Sequence, residues 1–352
     1  QPLHRTLYSL STKYGPIFSL QFGFRPVLVV SSPSAVEECF TENDIAFANR
    51  PNCILGKHLG YNYTTMVSAS YGDHWRNLRR LSSLEIFSSS RLNMFSGIRK
   101  DEIMQLVVSL YSVSGNQFGK VELKSKFSEL SFNIIMRMIS GQRYYGNELA
   151  DFEETKKFKE IIREFFEMAG ASNPADFLPF LRWFDFQSLE KRMKTLAKNL
   201  DIFLQGLVDK HKIRKNENNN TMIDHLLSLQ EKEPEYYKDE IIKGLILLWV
   251  DPLSFKPDRF ENEKTETYKL IPYGFGRRSC PGAVLGNRIV GLTLGTLVQC
   301  FEWERIGKEK IDMTEGFGLT MPKVKPLVAM CRVRPAMKAV LASTLPPCGN
   351  EA

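Results

Sequence analysis

Several features that would classify a chain at once are missing from this one. No uninterrupted apolar run approaches the roughly 18 residues a membrane-spanning helix needs; the longest, Leu245 to Val250, is far shorter. Cysteine is sparse: six residues (Cys39, Cys53, Cys280, Cys300, Cys331, Cys348) in 352, with no Cys-x-x-Cys pair. That excludes a disulfide scaffold or a cysteine zinc site and fits a reducing compartment. There are no internal repeats and no low-complexity tracts, which removes solenoids, collagen and coiled coils. No secretory leader heads the chain, and it opens at Gln1 rather than Met, as a fragment or processed chain would. An anchor upstream of residue 1 therefore stays open. The formal charge of +7 is spread along the sequence, not gathered in a block, and no nucleic-acid-binding signature accompanies it.

What is present suffices for a large core, since 43% of residues are hydrophobic. Residues 16–30 alternate around Gly23-Phe24-Arg25-Pro26 and read as a β-hairpin. Ser32-Pro33 is an N-cap followed by proline, opening a short helix to about Phe40. The stretch from Glu42 to Ser70 lacks periodicity and reads as a long loop. Beyond Gly72 helical periodicity dominates. Leu189, Met193, Leu196, Leu200, Phe203 and Leu207 form one apolar face, Phe158 to Phe166 mark another, and Thr221 caps a further helix. The expected fold is mainly α with a small β-sheet. An apolar helix from Asp239 runs into Trp249-Val250-Asp251-Pro252, and the proline stops it.

Pro272 to Gly282 carries three glycines and two prolines around Cys280, ahead of an apolar helix from Ala283 to about Phe301. A cysteine that ligates iron must be a thiolate, which a following helix N-terminus and a nearby cation favour. Arg278 is two residues away and could reach a carboxylate on a bound group. Gly276 permits a tight turn, and Gly282 permits close approach of a flat ligand. On these residues alone, an inert buried cysteine and a Cys-Pro heme-sensing site remain open.

The whole segment resembles the cytochrome P450 signature F-x-x-G-x-R-x-C-x-G, with Tyr273, Gly276, Arg278, Cys280 and Gly282 at its positions and tyrosine for phenylalanine. Trp75-Arg76-Asn77-Leu78-Arg79 is similar to the family's W-x-x-x-R helix, and Phe255 to Phe260 to the segment whose arginine, here Arg259, joins a Glu–Arg pair. The resemblance spans nearly the whole chain as a single domain, and its C-terminal part, Gly291 to Pro335, is most similar to plant isoflavone and flavonoid hydroxylases.

The resemblance implies heme b as cofactor, Cys280 as its metal ligand, and Trp75, Arg79, Tyr273, Gly276, Arg278 and Gly282 as cofactor-binding residues. It implies a monooxygenase taking a small lipophilic substrate and electrons from an NADPH-dependent flavin reductase at the cytosolic face of the endoplasmic reticulum membrane. Arg76, Arg80 and Arg277 are candidates for docking that acidic partner, and His74 is expected to be structural. Asn52 to Met66 and Phe317 to Pro322 are expected to line the substrate pocket.

Two family motifs are missing from the sequence. Neither the acid–alcohol motif A/G-G-x-D/E-T-T/S nor an E-x-x-R stands between residues 239 and 255. Glu160–Arg163 and Glu302–Arg305 have the second spacing but lie in the wrong part of the chain. The expected account is an internal deletion near Leu248/Trp249, dividing the chain into an N-terminal part, 1–248, and a heme-ligand part, 249–352. No oxygen-activating catalytic pair is then identifiable, and a catalytically inactive member that holds heme weakly is the alternative reading.

Overall fold

A computed structural model describes residues 2–114, 117–146, 152–170, 173–185, 188–214, 221–248, 271–316 and 321–344. The Phe255–Phe260 segment, Arg259 and Trp249 to Pro252 lie outside the described residues.

Helix α1 (Leu3–Tyr14) leads into a two-stranded antiparallel sheet, β1 (Ile17–Phe22) and β2 (Arg25–Val30). Gly23 takes φ +58° at the turn, and a Cβ there would stand 2.3 Å from the Phe177 carbonyl oxygen, so only glycine fits. Helix α2 (Pro33–Phe40) follows, with the Ser32 side chain accepting from the Ala35 N–H.

The stretch read as loop contains a short helix, α3 (Ile54–His58). It had no visible period because its anchors are tertiary: the Ile54 N–H donates to Asp176 at 2.7 Å, and Ile54 packs with Leu189 and Met193. Tyr61, Asn62 and Tyr63 then all take left-handed φ values of 46°, 54° and 63°, each costing on the order of 1 kcal/mol.

Helices α4 (Asp73–Leu81), α5 (Ser89–Met94), α6 (Ser96–Ser114), α7 (Leu123–Ser140), α8 (Phe152–Gly170), α9 (Leu189–Ile213), α10 (Met222–Lys232) and α11 (Asp239–Leu248) form the bulk of the molecule. A single π-helical turn, Ser82–Ile86, joins α4 to α5. The apolar stripe of α9 is buried as its spacing requires. At its centre Phe203 stacks on Phe158 of α8, with ring centroids 3.7 Å apart, a contact worth about 1 kcal/mol beyond burial. Thr221 and Asp224 close a reciprocal capping box at the start of α10.

The C-terminal part supplies α12 (Ala283–Cys300), β4 (Phe301–Arg305), β5 (Val328–Val333) and α13 (Pro335–Thr344). Phe301 belongs to the strand, not to the helix expected to reach it. Strand β5 is the centre of a three-stranded antiparallel sheet, flanked by β4 and by β3 (Gly119–Glu122). Glu302 pairs across that sheet with Arg332 at 2.6 Å, so its spacing to Arg305 has no structural counterpart.

One buried ionic knot ties α6 to α7. The Glu102 carboxylate, 2% exposed, accepts from Arg137 at 2.6 Å, from Arg143 at 2.8 and 2.9 Å, and from the Asn133 amide at 3.2 Å. Asn133 in turn accepts the Tyr144 and Tyr145 N–H groups. Removing the anion takes away the buried carboxylate that Arg137 and Arg143 share. Glu102→Ala is therefore expected to lower stability by about 3–5 kcal/mol, read as a fall in denaturation midpoint; a change under about 1 kcal/mol would contradict this account.

The candidate site around Cys280

The glycine-rich segment folds into a closed turn at the entrance to α12. Gly274 (φ +69°) and Gly276 (φ +66°) supply two left-handed positions that a side chain would resist. Between them the chain reverses, so that the Cys280 N–H donates to the Tyr273 carbonyl at 2.8 Å and the Ser279 N–H to Gly276 at 3.1 Å. Gly276 is also fixed by space, since a Cβ there would meet Asp44 Oδ1 at 2.8 Å. Asp44 secures the turn as well, accepting from the Arg277 N–H and pairing with Arg277 Nε at 2.9 Å.

Cys280 is a free, half-buried thiol just ahead of a helix: Gly282 caps α12, and the helix begins at Ala283. A Cβ on Gly282 would stand 3.8 Å from the Cys280 sulfur and 3.2 Å from the Phe87 ring. The glycine thus keeps that side of the thiol clear, and Phe87, which follows the π-helical turn, packs against it. The N-terminus of an 18-residue helix stands beside the thiol, with its partial positive charge turned that way.

The cations lie on α4 and in the turn itself. Arg278 lays its guanidinium 4.3 Å from the Trp75 ring centroid and donates to the carbonyls of Ala48 (2.7 Å), Met66 (3.2 Å) and Ala69 (2.7 Å). Burial, with Arg50 adding repulsion, pushes its pKa down to about 10. Trp75 donates its indole N–H to the same Met66 carbonyl at 3.0 Å. Arg79 reaches across from α4 to the Ser279 carbonyl at 2.5 Å and its hydroxyl at 3.3 Å. Burial lowers the Arg79 pKa, and the adjacent Cys280 sulfur opposes that shift.

All seven residues singled out from the sequence therefore meet in one place: Trp75 and Arg79 on α4, and Tyr273, Gly276, Arg278, Cys280 and Gly282 in the turn. Their partners differ from simple expectation. Arg278 commits three of its five N–H donors to backbone carbonyls, and Tyr273 directs its hydroxyl to Asn287 at 2.8 Å. The site nevertheless has the chemistry of a heme-thiolate pocket: a thiol beside a helix N-terminus, a glycine leaving it clear, and two guanidinium groups with N–H donors uncommitted among the described residues.

His74 is structural, with its Nε2 against the Thr64 carbonyl at 2.8 Å. Of the three surface arginines, Arg76 pairs with Asp73 and Arg277 with Asp44, while Arg80 is exposed. Sequence reasoning missed Asp44, Phe87 and Ser279, and placed Met66 only at the end of a substrate-lining stretch, whereas its carbonyl accepts from Trp75 and Arg278. Each acts through a backbone atom or a contact across at least eight residues, and none belongs to a periodic or spaced pattern. Within the Phe317 to Pro322 stretch, residues 317–320 lie outside the described set.

Comparison with known proteins agrees with this geometry. The family model described as Cytochrome P450 matches residues 1–248 and 247–330. "Cytochrome P450 81Q32" of Catharanthus roseus is 46% identical over 449 aligned positions, covering 97% of this chain and 89% of that protein. An isoflavone 3'-hydroxylase of Medicago truncatula is 42% identical, covering 95% and 89%. A zebrafish cytochrome P450 structure solved with abiraterone superposes with a TM-score of 0.70 at 16% identity, covering 95% of this chain and all of that one. With the signature turn closed around its cysteine and relatives matched along almost its full length, this chain belongs to the cytochrome P450 family of heme-dependent monooxygenases.

Proposed function

We propose that the chain derives from a plant hydroxylase that inserts one oxygen atom from dioxygen into a lipophilic phenolic of the isoflavone or flavonoid class. The observation that carries this is the closed Cys280 turn at the head of α12, flanked by Arg79 and by Arg278 stacked on Trp75. Isoflavone hydroxylases at 38–42% identity support the substrate class.

Cys280 would ligate the iron, and the uncommitted donors of Arg79 and Arg278 would hold heme carboxylates, with Trp75 fixing the Arg278 plane. Thiolate-ligated heme iron supplies the chemistry that cleaves dioxygen. The protein's part at this face is electrostatic. The helix N-terminus and Arg79 place positive charge beside the sulfur, and the Phe87 ring lies against Gly282 next to it. Asn52 to Met66 would contact substrate, an NADPH-dependent flavin reductase would supply electrons with Arg80 at the edge of its docking surface, and the intact protein would sit at the endoplasmic reticulum membrane.

A second reading, a polypeptide that binds heme weakly and does not turn over, is favoured by one specific observation. The family model matches in two segments that meet at residues 247–248. The alignment to the Catharanthus protein runs 449 positions, whereas 97% of this chain is about 341 residues, leaving about 108 positions without a counterpart. These support an internal gap at Leu248/Trp249 that removes the acid–alcohol motif. Sequencing the transcript across that junction checks it; an intervening segment encoded there would end this reading.

The carbon monoxide difference spectrum of the reduced, heme-supplemented protein separates the two. A strongly red-shifted Soret band, lost in Cys280→Ser, is the expected result, and an unshifted band or none would leave the second reading standing. In the same preparation Arg79→Leu should weaken heme retention by roughly tenfold, as loss of a charge-assisted hydrogen bond predicts. Unchanged retention would remove Arg79 from the cofactor site.

A further inference from the structure

One imidazole joins three segments near the cysteine site. His225 lies on α10 and is mostly buried. Its Nε2 stands 2.6 Å from Glu85 Oε2 in the π-helical turn, and its Nδ1 stands 2.5 Å from Arg91 Nη2 on α5. A guanidinium has donors and no lone pair to offer, so Nδ1 must accept. The ring is then neutral, carries its proton on Nε2 and donates it to the Glu85 carboxylate. A second proton would keep the Glu85 contact but set an N–H and a positive ring against Arg91.

What the imidazole holds leads directly to Cys280. The π-helical turn Ser82–Ile86 is closed by the Phe87 N–H, which donates to the Ser82 carbonyl at 2.8 Å; such turns are rare and concentrate at functional sites. Phe87 is the buried residue that this turn delivers to Gly282, beside the Cys280 sulfur. Burial disfavours a charged ring at His225, Arg91 and Lys232 add repulsion, and Glu85 opposes them; the balance holds the His225 pKa below the usual histidine value. Charges on the other helices packed against α10 are committed elsewhere. His211 of α9 faces Asp224, Asp239 of α11 holds Lys212 and Gln230, and Arg137 of α7 holds Glu102. Arg80 and Glu233 act on Tyr236 and Tyr237 beyond the end of α10.

We propose that His225 is a positioning residue for the heme-ligand turn: its neutral ring pins the π-helical turn between α10 and α5, and so keeps Phe87 against Gly282 at the side of Cys280. The proposal rests on the heme-thiolate reading above. A histidine whose pKa falls on folding adds stability that is complete above its ordinary value of 6.5 and is lost as pH falls through the lower, folded one. At neutral pH the bridge is whole; acidification pushes Arg91 off Nδ1 and frees the turn. A histidine that only filled space would show no such dependence on the charge at position 225.

The test uses the full, heme-supplemented chain as wild type, His225→Gln and His225→Lys. Glutamine offers Arg91 an acceptor and Glu85 a donor and cannot be charged, whereas lysine is charged throughout. Amide hydrogen exchange, corrected for its intrinsic pH dependence, is read on residues 82–87 at about pH 7.5 and about pH 5.5. Expected is a loss of protection of roughly tenfold in wild type at the lower pH and in His225→Lys at both, with His225→Gln protected at both. Under the same conditions the carbon monoxide band should move from its red-shifted to its unshifted position. Unchanged exchange in His225→Lys overturns the proposal, as does an equal acid step in His225→Gln, which assigns that step to another group. A released turn with an undiminished red-shifted band also overturns it, since Cys280 would then be indifferent to the turn. Should His225→Lys not fold, wild type against His225→Gln decides on the acid step. If no protein shows a red-shifted band at either pH, the heme-thiolate reading fails by itself. Iodoacetamide labelling of Cys280 relative to the half-buried Cys53 then decides at about pH 7.5: a ratio several-fold higher in His225→Lys than in wild type supports the proposal, and an equal or lower one overturns it.

Discussion

The guanidinium of Arg278 is the joint on which the site depends. Its three backbone acceptors lie at Ala48, Met66 and Ala69, in a stretch with little regular structure to hold it. The cation is anchored at its own end by the glycine-rich turn and stacked against Trp75 of α4. One planar group thus registers three separate pieces of chain: the turn bearing Cys280, the connection before α4, and α4 itself. A lysine could not do this, because a point charge lacks the fixed fork that reaches several carbonyls at once while presenting a flat face to an indole. The cost is a depressed pKa, which carbonyl dipoles offset without any countercharge.

That arrangement explains why the site was readable in the sequence although most of its contacts were not. Cys280, Gly276, Arg278 and Gly282 are spaced by local backbone demands: two left-handed glycines, a hydrogen bond from Cys280 back to Tyr273, and a helix start. Such demands leave a fixed pattern. The hairpin at 17–30 and the α9 face were legible for the same reason, since strand alternation and helical period are local. The β3–β5–β4 sheet was not. Its central strand pairs with residues more than 200 positions away on one side, and nothing in either strand names the other. Asp44 and Phe87 escaped for that reason too.

Arg99 and Arg278 make an instructive pair. Both are arginines withdrawn from water near the same end of α12, and both have lowered pKa values with burial as the leading cause. One is surrounded by acceptors from a neighbouring connection; the other faces a second cation. The difference lies in what the chain supplies around them, not in the residues themselves.

The left-handed run Tyr61-Asn62-Tyr63 gives the molecule a mechanical linkage. Tyr61 donates its hydroxyl to Asp201 Oδ1 at 2.8 Å, and Lys243 of α11 meets the same oxygen at 2.5 Å. A single carboxylate oxygen on α9 thereby clamps a wound backbone turn to a helix. The turn stores conformational energy that this clamp restrains. Any rotation of α11 about its axis would draw on the clamp first, and the connection from α3 to α4 would move as a lever with its fulcrum on α9.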